Sequence, residues 1–333
     1  MKVCIIGLGS IGGYLAHRMA QAGGDVCAVA RGATLQSVRD HGLRLSHVDT
    51  AEQVSSVPLT VSDSPAQLGP QDLVIVALKT TALDVLPSLI GPLLGPQTMV
   101  LWAMNGVPYW LMKGLDARWQ GIRLEATDPG GRLEAAIDPS RIIGCVAHMA
   151  ASCPHPGHVV QAFGDRFIIG ELGGAQTARL AAVTQALSVP GIGLEVSDSI
   201  EEAIWLKLWG NMTMNPVSAL TGATLDRILD EPMVRRFVSA AMLEATAIGD
   251  RIGLSVGMSP EDRHAITRKL GAVRTSMLQD VQAGRAIELD ALTASVSELG
   301  RRIGIETPNI DALLGMTRLF DSVRTQRLQQ QGA

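Results

Sequence analysis

The sequence predicts an α/β chain in two parts, a strand-and-helix domain over residues 1–198 and an all-helical domain over 199–333. Three observations carry that expectation. The chain opens with a strand-length apolar run, a glycine-spaced turn and a helical period, from Val3 to Ala22. Apolar runs of strand length then alternate with helical segments as far as Ser197. From Ser199 helical periodicity runs almost to the end and strand signals stop.

The opening run Val3-Cys4-Ile5-Ile6 is too short for a stable helix and suits one buried strand. The turn Gly7-Leu8-Gly9-Ser10-Ile11-Gly12 leads into a helical period from Tyr14 to Ala22. At this spacing each glycine has its own task. Gly7 permits the tight turn, Gly9 lets backbone approach a pyrophosphate, and Gly12 lets the helix pack closely on the strand. The helix N-terminus adds free N–H groups and partial positive charge. The unit therefore predicts a Rossmann-type dinucleotide-binding domain, with Gly7, Leu8, Gly9, Ser10, Ile11 and Gly12 as its cofactor loop. The second strand, Asp25 to Ala30, ends at Arg31. An NAD-specific site would put a carboxylate there for the ribose 2′-hydroxyl. A guanidinium instead pairs a 2′-phosphate, so NADP(H) is the expected cofactor; a plain surface arginine is the alternative.

The next elements follow the same alternation. Ala33 to His41 predicts a helix, Leu43 to His47 a short strand, and Val57 to Val61 a strand-like piece. Asp72 to Leu78 suits a central parallel strand, with Lys79 at the carboxyl end where such sheets bind ligands. A snorkelling surface lysine is the alternative there. Thr81 to Leu94 predicts a helix and Thr98 to Ala103 a strand followed by Asn105. Pro108 to Ser140 is irregular, either a lid or a surface excursion. Ile142 to Ile169 predicts paired antiparallel strands around Pro154-His155-Pro156-Gly157. Ala175 to Leu187 predicts a helix and Gly193 to Ser197 an edge strand.

In the second part, Glu201 to Asn215 predicts a long helix capped by Ser199 and disturbed at Pro216. Lys207, Asn211 and Asn215 recur every four residues and project from one face, a row of donors suited to an anionic substrate. A solvated face would also explain them, but Trp205, Leu206, Leu208, Trp209 and Met212 leave little room for a wet helix. Further helices are expected over 231–252, 260–270, 288–304 and 308–328, with 329–333 as a frayed tail.

Composition narrows the function classes. The chain has 333 residues, 47% hydrophobic and 18% charged, with net charge −4 and no long basic run, so nucleic acid is not an expected partner. No apolar run approaches the length that spans a bilayer. Four cysteines without CxxC spacing suit a reducing compartment, and the cytoplasm is expected. Cys153, His155 and His158 lack an evident fourth ligand, so no metal is expected. The oligomeric state stays open, a homodimer included.

These residues also have a family likeness. The opening GLGSIGG, Arg31, Leu78-Lys79, Asn105-Gly106, Lys207-Leu208-Trp209-Gly210-Asn211 to Asn215-Pro216, and Ser276-Met277-Leu278-Gln279-Asp280 to Glu288 resemble the ketopantoate reductases. Those are the NADPH-dependent 2-dehydropantoate 2-reductases of pantothenate synthesis. The resemblance implies that Lys207 gives a proton to the substrate carbonyl as NADPH delivers hydride. It implies substrate binding by Asn211 and Asn215, carboxylate binding by Ser276, and contact of Glu288 with the substrate hydroxyl or with the lysine. For Glu288 a helix N-terminal acid is the alternative. Lys79 and Asn105 match positions where cofactor and substrate meet. Two departures stand out: Val273 with Arg274 beside it, where some members carry asparagine, and a long stretch from Tyr109 to Pro139. The expected function is reduction of a 2-oxo acid, ketopantoate first. A reductase of another 2-oxo acid and a non-catalytic NADP(H) sensor are the alternatives.

Overall fold

Apolar runs that lack alternation belong in the interior of a parallel sheet, and the opening strands of this chain pair in that way. The computed structural model describes residues 1–332, and Ala333 lies outside the described residues. The chain divides into two compact units, Met1–Met104 with Gly131–Ala203 and Asn105–Gly130 with Ile204–Ala333. The expected division into 1–198 and 199–333 has a single boundary. Here residues 105–130 also group with the helices.

The first unit holds β1 (Lys2–Ile6), α1 (Ser10–Gln21), β2 (Asp25–Val29), α2 (Gly32–His41), β3 (Leu43–His47), β4 (Ser55–Val57), β5 (Thr60–Ser62) and β6 (Gln71–Val76). It continues with α3 (Leu86–Ile90), β7 (Leu94–Trp102), α4 (Arg132–Ala136), β8 (Ile142–His155), β9 (His158–Glu171), α5 (Ala178–Leu187) and β10 (Gly193–Val196). One sheet runs in the order β4-β3-β9-β8-β7-β6-β1-β2-β5, with β10 also on β9. Only β3–β4 and β8–β9 pair antiparallel. The run β5-β2-β1-β6-β7-β8 is parallel throughout, and its order reverses direction between β1 and β6.

Two expected elements are built differently, both because of proline. The single strand expected over Val57–Val61 breaks after Val57, and β4 and β5 pair at opposite edges of the sheet. Pro58 cannot donate to a ladder, so the chain leaves one edge there. The helix expected over Thr81–Leu94 is one short α-helix between 3-10 turns at Thr80–Val85 and Gly91–Leu93. Pro87 and Pro92 have no N–H for the carbonyls of Leu83 and Ser88, so a regular α-helix cannot run across either position.

The helical part continues with α6 (Ile200–Thr221), α7 (Leu225–Asp230), α8 (Pro232–Ile252), α9 (Pro260–Arg268) and α10 (Ser276–Gln282). A π-helical turn at Asp290–Ala294 runs into α11 (Ser295–Ile303), and α12 (Pro308–Gly332) follows. The tail expected to fray from Gln329 continues α12 through Gly332. The expected Ser199 cap is also absent: its hydroxyl makes no hydrogen bond among the described residues, and only its carbonyl receives Ala203 N–H. The excursion after Pro108 begins in the interior and then runs along the surface, where Asp116, Ala117, Arg118, Gln120 and Gly121 are exposed. Trp110 and Leu111 are fully buried, and the Glu298 carboxylate accepts the backbone N–H groups of Glu125 and Ala126 at 3.0 and 2.9 Å. Aromatic side chains of that size are most stable out of water. No helix among the described residues is long and apolar enough to cross a membrane.

Candidate active site

In the first unit the strand register gathers the expected cofactor residues at one sheet edge. Ile6 pairs with Val29 of β2 and with Val76 of β6, so the three strands end level. Gly7–Gly9, Arg31 and Lys79 follow those ends. Gly7 has φ +104°, and a Cβ there would lie 2.7 Å from the Ala77 carbonyl oxygen. Only glycine fits that crossing. Gly12 lies inside α1, where a Cβ would meet Gly7 O at 2.0 Å and the Ile5 side chain at 3.0 Å. At Gly9 the same construction meets nothing within 4 Å. The turn is thus closed on its protein side and open on its outer side. Gly9 is also the N-cap of α1, with no side-chain cap and no acidic residue in the first turn. The positive helix end is left for an anion. Arg31 precedes α2 and is exposed. Its guanidinium has no hydrogen-bond or ion-pair partner among the described residues. This set fits the pyrophosphate and ribose-phosphate of a dinucleotide.

In the second unit α6 carries the donor row. Trp205 and Trp209 stand two residues either side of Lys207, about 200° round the helix, and therefore point the opposite way. Both are 1% exposed, and Trp209 Nε1 donates to Met242 O of α8 at 2.8 Å. The tryptophans fix the rotation of α6, and Lys207 and Asn211 are left half-buried on the other face. Asn215 is 6% exposed. Neither asparagine amide has a hydrogen-bond partner among the described residues.

The helix expected to be disturbed at Pro216 continues past it to Thr221. Proline has no N–H to give the carbonyl four residues back, which belongs to Met212, between the two asparagines. Thr293 Oγ1 donates to that carbonyl at 3.1 Å. Thr293 is fully buried and lies in the π-helical turn. The same turn receives Asn105: Val107 N–H donates to Ala291 O at 2.9 Å. At Gly106, φ +87°, a Cβ would lie 2.6 Å from that oxygen. Glu288, buried at 6% exposure, enters the same turn from its N-terminal side. One irregular turn therefore ties together the backbone beside Asn105, Glu288, Asn211 and Asn215. Its π geometry is a frequent companion of functional sites.

Ser276 is exposed at the first residue of α10, whose cap is Thr275 accepting Leu278 N–H at 3.2 Å. The neighbouring Asp280 is buried and accepts from Arg285 Nε at 2.9 Å, which closes the loop leading to Glu288. Arg274 turns to Gln282, Nη1 to Oε1 at 3.2 Å, and the Val273 carbonyl accepts Leu225 N–H at 3.0 Å. His158 Nε2 lies 2.9 Å from Ser46 Oγ. Thr293 is a residue the sequence reading missed. Pro216 signals that some donor must serve Met212 O, but nothing local says which.

A family model described as ketopantoate reductase PanE/ApbA matches residues 3–113, and its C-terminal counterpart matches residues 199–321. A 2-dehydropantoate 2-reductase of Mesorhizobium japonicum is 41% identical over 319 residues, 96% of this chain and 97% of the relative. The crystal structure of a candidate ketopantoate reductase from Ralstonia solanacearum MolK2 superposes with TM-score 0.92 at 47% identity, covering 97% of this chain and 98% of that one. That of a 2-dehydropantoate 2-reductase from Geobacter metallireducens GS-15 gives 0.83 at 26% identity, covering 96% and 99%. With both halves of the family pattern matched and the glycine turn and donor row in place, this chain belongs to the ketopantoate reductase family.

Proposed function

We propose that this protein reduces a small 2-oxo acid to its 2-hydroxy acid with NADPH, 2-dehydropantoate to pantoate being the reaction it serves in pantothenate synthesis. The alignment of Lys207, Asn211 and Asn215 on the α6 face opposite Trp205 and Trp209 is the observation that carries the proposal. The names of the relatives support the substrate. Arg31 supports NADPH over NADH: its exposed guanidinium suits a 2′-phosphate at the place where a carboxylate would repel one.

When bound, the reduced nicotinamide supplies a hydride to the carbonyl carbon. The carbonyl π pair then moves to oxygen, and a proton from Lys207 Nζ neutralises the charge as it develops. Lys207 is re-protonated from water before the next turnover. Asn211 and Asn215 donate to the substrate oxygens and limit its rotation, Ser276 holds its carboxylate, and Glu288 orients the lysine or the substrate hydroxyl. Gly7–Gly12 and the N-terminus of α1 hold the pyrophosphate, with Lys79 and Asn105 toward the nicotinamide end. The reading assigns the enzyme to the cytoplasm, where exposed thiols such as Cys153 stay reduced.

Steady-state oxidation of NADPH with ketopantoate beside smaller and aromatic 2-oxo acids tests the proposal. The highest kcat/KM is expected for ketopantoate. Tight NADPH binding without oxidation by any 2-oxo acid would overturn it and leave a sensor.

A further inference from the structure

The side chain that the donor row does not use is Arg263 of α9. Its Nε is buried without a hydrogen-bond partner, and neither Nη1 nor Nη2 pairs with an acceptor among the described residues. The carboxylates that precede it are committed elsewhere: Glu261 pairs with Arg235, and Asp262 closes the capping box with Ser259. Arg268 of the same helix, by contrast, has its own partner in Asp230 at 2.5 Å. Burial also lowers the Arg263 pKa from its usual value, as expected of a cation short of counter-charge.

Its place in the fold gives that charge a use. The guanidinium lies against Gly210 of α6: a Cβ there would be 2.9 Å from Nη2 and 3.0 Å from Nε. Gly210 stands three residues after Lys207 and one before Asn211, on the flank of the donor face. Any side chain at 210 would push the guanidinium off the helix. A 2-oxo acid brings a carboxylate one bond from the carbonyl that Lys207 serves. Asn211, Asn215 and Ser276 can only offer that carboxylate neutral donors. A guanidinium partly withdrawn from water with no acidic partner gains from meeting an anion, and its planar form matches a carboxylate with two hydrogen bonds.

We propose that Arg263, seated on Gly210, supplies the counter-charge for the carboxylate of the 2-oxo acid and so selects acids over neutral ketones. The proposal rests on the reductase reading for its substrate and on the unpaired guanidinium for its site.

The test uses the full-length protein with NADPH, the acid turned over fastest in the panel above and the methyl ester of that acid. Arg263→Met is expected to raise KM for the acid about tenfold or more, with kcat within about threefold and the ester constants unchanged. Gly210→Ala, which favours helix and whose Cβ meets the guanidinium first, should shift KM in the same direction. Arg263→Lys should restore part of the discrimination. Equal shifts for acid and ester, or none, would overturn the proposal while the reductase reading stands. If the wild type reduces nothing, calorimetric titration with oxamate decides separately. Binding that is lost in Arg263→Met upholds the anion site. No binding, or equal binding by both, removes it.

Discussion

Among single side chains, the direction of Lys207 is decided by residues that never face it. Trp205 and Trp209 are buried on the far side of α6, and the 2.8 Å bond from Trp209 Nε1 to Met242 O sets the helix rotation. Lys207→Ala should therefore leave the fold intact and lower kcat by about two to four orders of magnitude. Fluorescence titration should show NADPH affinity unchanged. Arg31→Asp should remove the preference for NADPH, because a charged hydrogen-bond pair worth about 1.5–3 kcal/mol gives way to repulsion. The ratio of kcat/KM for NADPH and NADH reads that change. The glycine loop, Arg31 and the α6 row were legible in the sequence because their geometry is local: a strand–turn–helix spacing and a four-residue repeat. Arg263 was not, because an arginine's partner, or the lack of one, is settled by packing between distant segments.

Elements were legible where pattern and backbone chemistry agree, as in β1, α1, β6 and the β8–β9 hairpin. They were misjudged at proline. Pro58 separates β4 from β5 and Pro87 and Pro92 shorten α3, both through missing donors. Pro216 acts in the opposite sense, since a donor from another element lets α6 continue. Thr293→Val keeps the shape and removes the hydroxyl, leaving a buried carbonyl without a partner. A loss of about 1–3 kcal/mol is expected in denaturant unfolding. A fall in kcat/KM should accompany it, because Met212 lies between Asn211 and Asn215. Thr293→Ser, which keeps the donor, should recover most of both. An effect on stability alone would show that the bond supports the helix and not its polar face.

For the molecule as a whole, two interior histidines, one in each unit, contribute to the pH dependence of stability. Burial pushes the His17 imidazole down to about 4 and lowers that of His264 as well. The unfolded chain takes up these protons near pH 6.5, whereas the folded chain resists them until lower pH. Their contribution to stability is therefore complete above pH 6.5. As pH falls toward 4 the His17 share declines by about 1.4 kcal/mol per unit. Urea midpoints measured from pH 7 to 4 should fall accordingly, and His17→Leu should flatten that slope.

The route of the chain has a consequence for how such enzymes diverge. Residues 105–130 travel with the helices, although α4, β8 and β9 come between them in sequence. A single recombination event at residue 199 would join one parent's Gly106 and Val107 to another parent's Ala291. It would also set one parent's Glu125 and Ala126 amides against a foreign Glu298. The helical half is therefore encoded in two pieces, and residues that hydrogen-bond one another lie on either side of a long stretch of gene that belongs to neither.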